Sequence, residues 1–268
     1  MKNKLALIGF PHDNNSSYMK GAASAPPLIR QAFHSESSNL WSETGLDLGK
    51  EFLVNDVGDV PLFSSINPLA EIENAIKNLL DQNYFPISLG GDHSITFPIV
   101  KALSAKFDKL NILQFDAHPD LYDEYQGNRF SHACPFARIM EAGLVQRLVQ
   151  VGIRTMNEHQ QEQAKRFGVE VIQMKDWRDN LKFDFESPLY ISFDMDVLDP
   201  AFAPGVSHHE PGGFSTRQVI KIIHEINAPV IVGADIVEFN PLRDINGVIA
   251  MVCAKILKEL AGKMLTLI

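Results

Sequence analysis

Short apolar runs alternate with helix-length amphipathic segments from end to end of this chain, and no other feature of it narrows the possible folds as far. The segments between the runs carry apolar residues three or four apart, which is one face of a helix. Such alternation points to an α/β class, with a parallel sheet covered by helices on both faces. Strands are expected at residues 4–9, 52–56, 85–89, 110–115, 148–152, 169–173, 189–193 and 230–234. Helices are expected at 69–81, 95–107, 158–167, 216–226 and 248–262. No repeat or low-complexity linker interrupts them, so residues 1–268 are expected to form one domain. Three polar stretches containing Gly and Pro, at 12–27, 120–135 and 200–214, exceed minimal connections and are candidate functional loops.

Four polar clusters follow expected strands, at the carboxyl edge where open parallel sheets bind ligands. Asp116-Ala117-His118-Pro119-Asp120 sets three potential ligands at alternating positions, which share one face of an extended chain. Asp194-Met195-Asp196 repeats that spacing and leads into Val197-Leu198-Asp199-Pro200. Gly90-Gly91-Asp92-His93-Ser94 has paired glycines that permit a tight turn presenting His93, and Glu238-Phe239-Asn240-Pro241 forms the fourth cluster. A single Asp at a strand end is ordinarily a cap or turn residue, and Asp92, Asp199 and Asp235 are assigned that role. His12, His208 and His209 are read as loop residues without a metal role.

Gathered at one edge, Asp116, Asp120, Asp194 and Asp196 repel one another unless cations separate them. Four carboxylates balance two dications. With His93 and His118 the donors are mostly hard oxygen with one imidazole per metal, which suits manganese, although iron, cobalt or zinc could substitute. Water between two dications loses a proton near neutral pH, which would provide a hydrolytic nucleophile.

Composition removes several partner classes. The formal charge of -9 disfavours nucleic acid and anionic membrane, no apolar run reaches a membrane span, and residues 1–6 do not resemble a signal peptide. The expectation is a soluble, cytoplasmic protein. Cys134 and Cys253 lie far apart outside any CxxC pattern and are expected to be reduced.

The clusters resemble the signatures of the ureohydrolase family of arginases and agmatinases, which read GGDHS, DAHxD and SxDxDxxDP and occur here in that order. The likeness extends from Gly21-Ala22-Ala23-Ser24-Ala25-Pro26-Pro27 through Gly233-Ala234-Asp235 to Glu238-Phe239-Asn240-Pro241, and is strongest toward plant-type arginases. It implies a three-layer α/β/α fold with an eight-stranded parallel sheet, two manganese ions per subunit, and a homotrimer or homohexamer. By the family pattern, His93, Asp116, Asp120 and Asp194 would hold one ion, and Asp116, His118, Asp194 and Asp196 the other, with Asp116 and Asp194 bridging. His132 matches the family's catalytic histidine and Glu238 its guanidinium-binding glutamate. An imidazole suits proton transfer to a leaving amine, and a carboxylate suits a planar, forked cation.

The implied activity is cleavage of a guanidino substrate to urea and an amine, with L-arginine to L-ornithine favoured over agmatine to putrescine. Arginine's α-carboxylate calls for donors at the outer rim, for which Asn128, Arg129 and Asn157 are candidates. A formiminoglutamase, guanidinobutyrase or guanidine hydrolase shares the same metal chemistry. A silent metal-binding scaffold would not need His132 and Glu238, and a single-zinc deacetylase would leave Asp116 and Asp194 unexplained as a bridging pair.

Overall fold

The computed structural model describes residues 4–50 and 53–268. Among them, eight strands form one sheet: β1 (Lys4–Phe10), β2 (Val54–Asp59), β3 (Tyr84–Gly90), β4 (Asn111–Phe115), β5 (Arg147–Ile153), β6 (Glu170–Gln173), β7 (Leu189–Asp194) and β8 (Ile231–Val237). Their order is β2-β1-β3-β8-β7-β4-β5-β6 and every pairing is parallel. The strands that precede the four polar clusters, β3, β8, β7 and β4, are adjacent at the centre. Parallel neighbours about 4.8 Å apart deliver all four strand ends to one edge within roughly 15 Å.

Seven α-helices cover the sheet: α1 (Ala25–Phe33), α2 (Pro68–Asp81), α3 (Thr96–Ser104), α4 (Pro135–Glu141), α5 (Glu158–Phe167), α6 (Thr216–Glu225) and α7 (Val248–Thr266). By their contacts α1, α7 and α6 form one layer, and α2, α3, α4 and α5 the other. With helices on both faces, β4 and β8 are buried along their whole length, which is why they read as near-continuous apolar runs.

Departures from the expected elements have local causes. The strand expected at 52–56 is β2, displaced to Val54–Asp59, and Phe52 lies outside the described residues. As an edge strand β2 is mostly exposed, so apolar content marks its position poorly. Helices α1 and α4 begin at the ends of the 12–27 and 120–135 stretches, which are expected as loops. Pro26 and Pro135 in fact sit in the first turn, where a missing N–H costs nothing and the fixed φ suits a helix.

Candidate active site

The ends of β3, β4 and β7 bring six charged side chains together. Buried His93 Nδ1 lies 3.2 Å from Asp116 Oδ2, 3.0 Å from Asp120 Oδ2 and 3.2 Å from Asp194 Oδ2. It has no hydrogen-bond partner among the described residues. Beside it, His118 Nδ1 lies 2.9 Å from Asp196 Oδ2 and 3.6 Å from Asp116 Oδ1. The two oxygens of Asp116 therefore face different imidazoles, the arrangement required of a bridging carboxylate. Asp194 is less symmetric, because only its Oδ2 faces an imidazole while its Oδ1 accepts the Asp196 amide at 2.8 Å. Among the described residues, His93, Asp116 and Asp120 form one group able to hold a cation, and Asp116, His118 and Asp196 another.

The electrostatics favour a cation. Burial, with Asp116 adjacent, raises the Asp120 carboxyl to about 6. Burial, with Asp196 and Asp116 nearby, pushes Asp194 well above the usual carboxylate range. His93 and His118 are depressed by burial, but the surrounding carboxylates outweigh it and hold both well above an ordinary imidazole. Without another positive charge, protons must neutralise the cluster. An unbonded buried imidazole nitrogen facing three carboxylates fits a divalent cation.

A buried polar scaffold holds these groups in place. Ser192 donates its hydroxyl to Asp235 Oδ1 at 2.8 Å, so its oxygen accepts the Nε2–H of His93 at 2.9 Å and leaves Nδ1 to present its lone pair. Asp235 also accepts from Thr96 Oγ1, Tyr190 OH and the Phe193 amide. On the other side, Gln150 Nε2 donates to Gln114 Oε1 at 2.6 Å, and Gln114 Nε2 donates to Asp116 Oδ2 at 2.7 Å. The Arg154 guanidinium donates to the carbonyls of Asp196, Val197, Leu198 and Glu210, tying the loop after β7 to the 200–214 stretch.

Glu238 closes the site from the end of β8 with a φ of 63°. That left-handed backbone is unusual for a side chain other than Gly, Asn or Asp, and such positions concentrate at functional sites. Its Oε1 accepts the His93 amide at 3.0 Å and lies 2.9 Å from His132 Nδ1. His132 Nε2 in turn meets Ser17 Oγ at 2.9 Å. Burial alone would lower His132 and raise Glu238, but each lies in the other's field: His132 rises to about 9 and Glu238 is held below its usual value. Gly91 lets the 12–27 loop approach, since a Cβ there would lie 2.0 Å from the His12 carbonyl oxygen.

These groups line one end of a cavity of about 210 Å³. Its lining includes Asp120, Asp194, Asp196 and His118 of the acid cluster, Glu238, His132 and His208, and the polar side chains of Ser17, Tyr122, Tyr125, Thr155 and Gln160. The rim candidates are placed differently. Asn157 caps α5 through a capping box with Gln160 and donates to Tyr122 OH; Arg129 is paired with Asp123 and Glu141; Asn128 donates to Asn15. None of the three lines the cavity.

Other assignments divide in the same way. Asp92 and Asp199 do accept amides in turns, whereas Asp235 is a buried hub within β8. His12 and His209 hydrogen-bond within their loops, to Asn15 and to the Pro204 carbonyl. His208 is not an incidental loop residue, because its ring centroid lies 5.0 Å from that of His132. The supporting role of Gln114, Gln150 and Ser192 had one signal in the sequence, a polar residue inside an otherwise apolar buried strand.

A parallel α/β/α sheet with clustered carboxylates and imidazoles at its carboxyl edge defines a hydrolase with a candidate metal centre. More particularly, the chain belongs to the arginase family, whose model matches residues 3–262. It is 46% identical to the protein named Arginase 1, mitochondrial, of Arabidopsis thaliana over 98% of this chain and 81% of that one. It is 32% identical to an agmatinase of Bacillus cereus, over 97% and 91% of the two chains. The solved arginase from Medicago truncatula superposes with a TM-score of 0.93 at 42% identity, covering 98% of this chain and 87% of that one.

Proposed function

We propose that this protein hydrolyses the guanidino group of L-arginine to urea and L-ornithine, with two manganese ions bound at the acid cluster. The observation that carries the reading is Glu238, an ionised buried carboxylate that lines the same cavity as the acid cluster and is in contact with His132. Both of its hydrogen bonds fall on Oε1, which leaves Oε2 for a guanidinium N–H.

One ion would be held by His93, Asp116, Asp120 and Asp194, the other by Asp116, His118, Asp194 and Asp196. Bound divalent cations supply Lewis acidity and acidify water beside the substrate carbon. The protein's own residues do the rest. Glu238 orients the planar cation. His132, raised to about 9 by Glu238, carries a proton at neutral pH and delivers it to the departing amine nitrogen. A guanidinium pairing with Glu238 cancels part of the field that raises His132, so substrate binding makes it a stronger acid. Ser17, which also lines the cavity, meets His132 Nε2 and offers the route by which the proton is replaced.

L-arginine is preferred to agmatine because plant relatives named arginases reach 42–46% identity, against 32% for the agmatinase. The other polar side chains lining the cavity are Ser17, Tyr122, Tyr125, Thr155 and Gln160, and these replace Asn128, Arg129 and Asn157 as candidates to meet the amino-acid end. The test is urea release by manganese-loaded enzyme offered L-arginine, agmatine, guanidinobutyrate and free guanidine, with metal-stripped enzyme as control. Urea from L-arginine alone supports the reading, and a preference for agmatine overturns the substrate assignment.

A further inference from the structure

We infer that His132, His208 and Glu238 form a third cation site, selective for zinc over manganese, whose occupancy shuts the cavity to substrate. The three side chains offer two imidazole nitrogens and a carboxylate oxygen, all within 4.8 Å of one another. A tetrahedral zinc with bonds of about 2.0–2.1 Å separates its ligands by roughly 3.4 Å. The His132–Glu238 pair, at 2.9 Å, already approaches that spacing. The Val206–Phe239 bridge and the Ser207 hydroxyl, which donates to the Met19 carbonyl, hold the backbone beside His208, so closing the remaining distance asks only for a turn of its side chain.

His132 is supported as a ligand in the same manner as His93. Each turns Nδ1 toward carboxylate oxygen and sets Nε2 against a serine hydroxyl, Ser192 at 2.9 Å for His93 and Ser17 at 2.9 Å for His132. An outer hydrogen bond of that kind fixes the tautomer and the ring plane of a metal-bound histidine. Two histidines and one glutamate with a position left open is a zinc ligand set. It is richer in nitrogen than the acid cluster, where four carboxylates accompany two imidazoles. Imidazole nitrogen favours zinc over manganese, so zinc fills the histidine-rich group first.

Occupancy would take Glu238 away from a guanidinium, so zinc and substrate exclude each other. That consequence rests on the proposed role of Glu238, whereas binding of zinc itself does not. Two measurements separate them. Equilibrium dialysis of manganese-loaded enzyme against zinc, followed by elemental analysis, is expected to show one zinc taken up per chain with manganese retained. Zinc-edge X-ray absorption of that sample is expected to show scattering from two imidazoles. His208→Asn should weaken zinc uptake by at least about tenfold, the lower end of what loss of even an outer partner costs a metal. His208→Cys should keep uptake and add a sulfur scatterer. In steady-state assays zinc should raise the KM for guanidino substrate without changing kcat, and its inhibition constant should rise in His208→Asn by the same factor as the dissociation constant. Zinc uptake matched by manganese release, or equal uptake by native enzyme and His208→Asn, would overturn the site. Zinc binding as expected with inhibition that substrate cannot relieve would leave the site standing and remove Glu238 from substrate binding.

Discussion

Two charged clusters in this molecule solve the same electrostatic problem in opposite ways. Between α6, α7 and the segment before β2, Glu43 and Glu259 are surrounded by the protein's own cations: Lys255 Nζ lies 3.0 Å from Glu43 and 2.5 Å from Glu259, Arg217 lies 2.5 Å from Glu43, and His224 lies 2.7 Å from Glu259. Hydrogen bonds from Arg217 and Lys255 hold Glu43 down at about 2, and Lys255 with His224 keeps Glu259 below its usual value despite burial. At the carboxyl edge of the sheet, Asp116, Asp120, Asp194 and Asp196 have no Lys or Arg ion pair among the described residues. Arg154, the nearest guanidinium, gives its hydrogens to carbonyls instead. A cluster that neutralises itself stabilises the fold. One left short of positive charge is built for cations from outside.

The contrast can be broken most readily at the acid cluster. Asp120→Ala is expected to lose metal and activity together, by more than the roughly 10–100-fold that removal of an outer partner costs, as read by elemental analysis and urea release. Full activity with one metal per chain would end the two-metal reading. His132→Ala should retain both metals and slow turnover by about 10²–10⁴, the usual contribution of a positioned acid; an unchanged rate would remove His132 from the chemistry.

Stability should separate the clusters next. Glu259→Gln leaves His224 without a charged partner and Lys255 with Glu43 alone, and is expected to cost about 2–3 kcal/mol, or roughly 5–10 °C in Tm by calorimetry. Asp194→Asn in the metal-free protein should change stability by less than about 1 kcal/mol, because burial and the neighbouring carboxylates already favour the neutral form of that carboxyl. A large loss in that variant would mean that the acid cluster is structural.

The smallest effect is in pH, and its sign differs between the clusters. Asp120 is raised from 3.8 to about 6, so its contribution to the metal-free fold is present at low pH and is lost as pH rises through about 6. Glu43 is lowered from 4.5 to about 2, so its contribution is present above 4.5 and is lost as pH falls toward 2. Unfolding of metal-free Asp120→Asn and Glu43→Gln, each followed from pH 4 to 8 against the native protein, should show the first difference shrinking toward acid from about 6 and the second staying level until pH falls below about 5. Differences that run in parallel would contradict the distinction.

What could be anticipated from residue order depended on how local the signal was. The central strands announced themselves because burial on both faces makes them continuously apolar, and the acid motifs because period-two spacing places Asp116, His118 and Asp120 on one face. Asn157 and Arg129 looked like rim donors only because a lone sequence position does not reveal that one caps a helix and the other is paired with Asp123 and Glu141.

The amino-acid sequence by itself determined the parallel α/β/α plan and the acid–imidazole set able to hold cations, since both are written in short local runs. Tertiary structure alone decided that β8 and β7 would insert between β3 and β4, and that His208 would arrive beside His132 and Glu238. It also decided that Asp235 would orient His93 through Ser192. Those contacts join residues distant in the chain, and their geometry is set by helix packing on the sheet, not by local spacing.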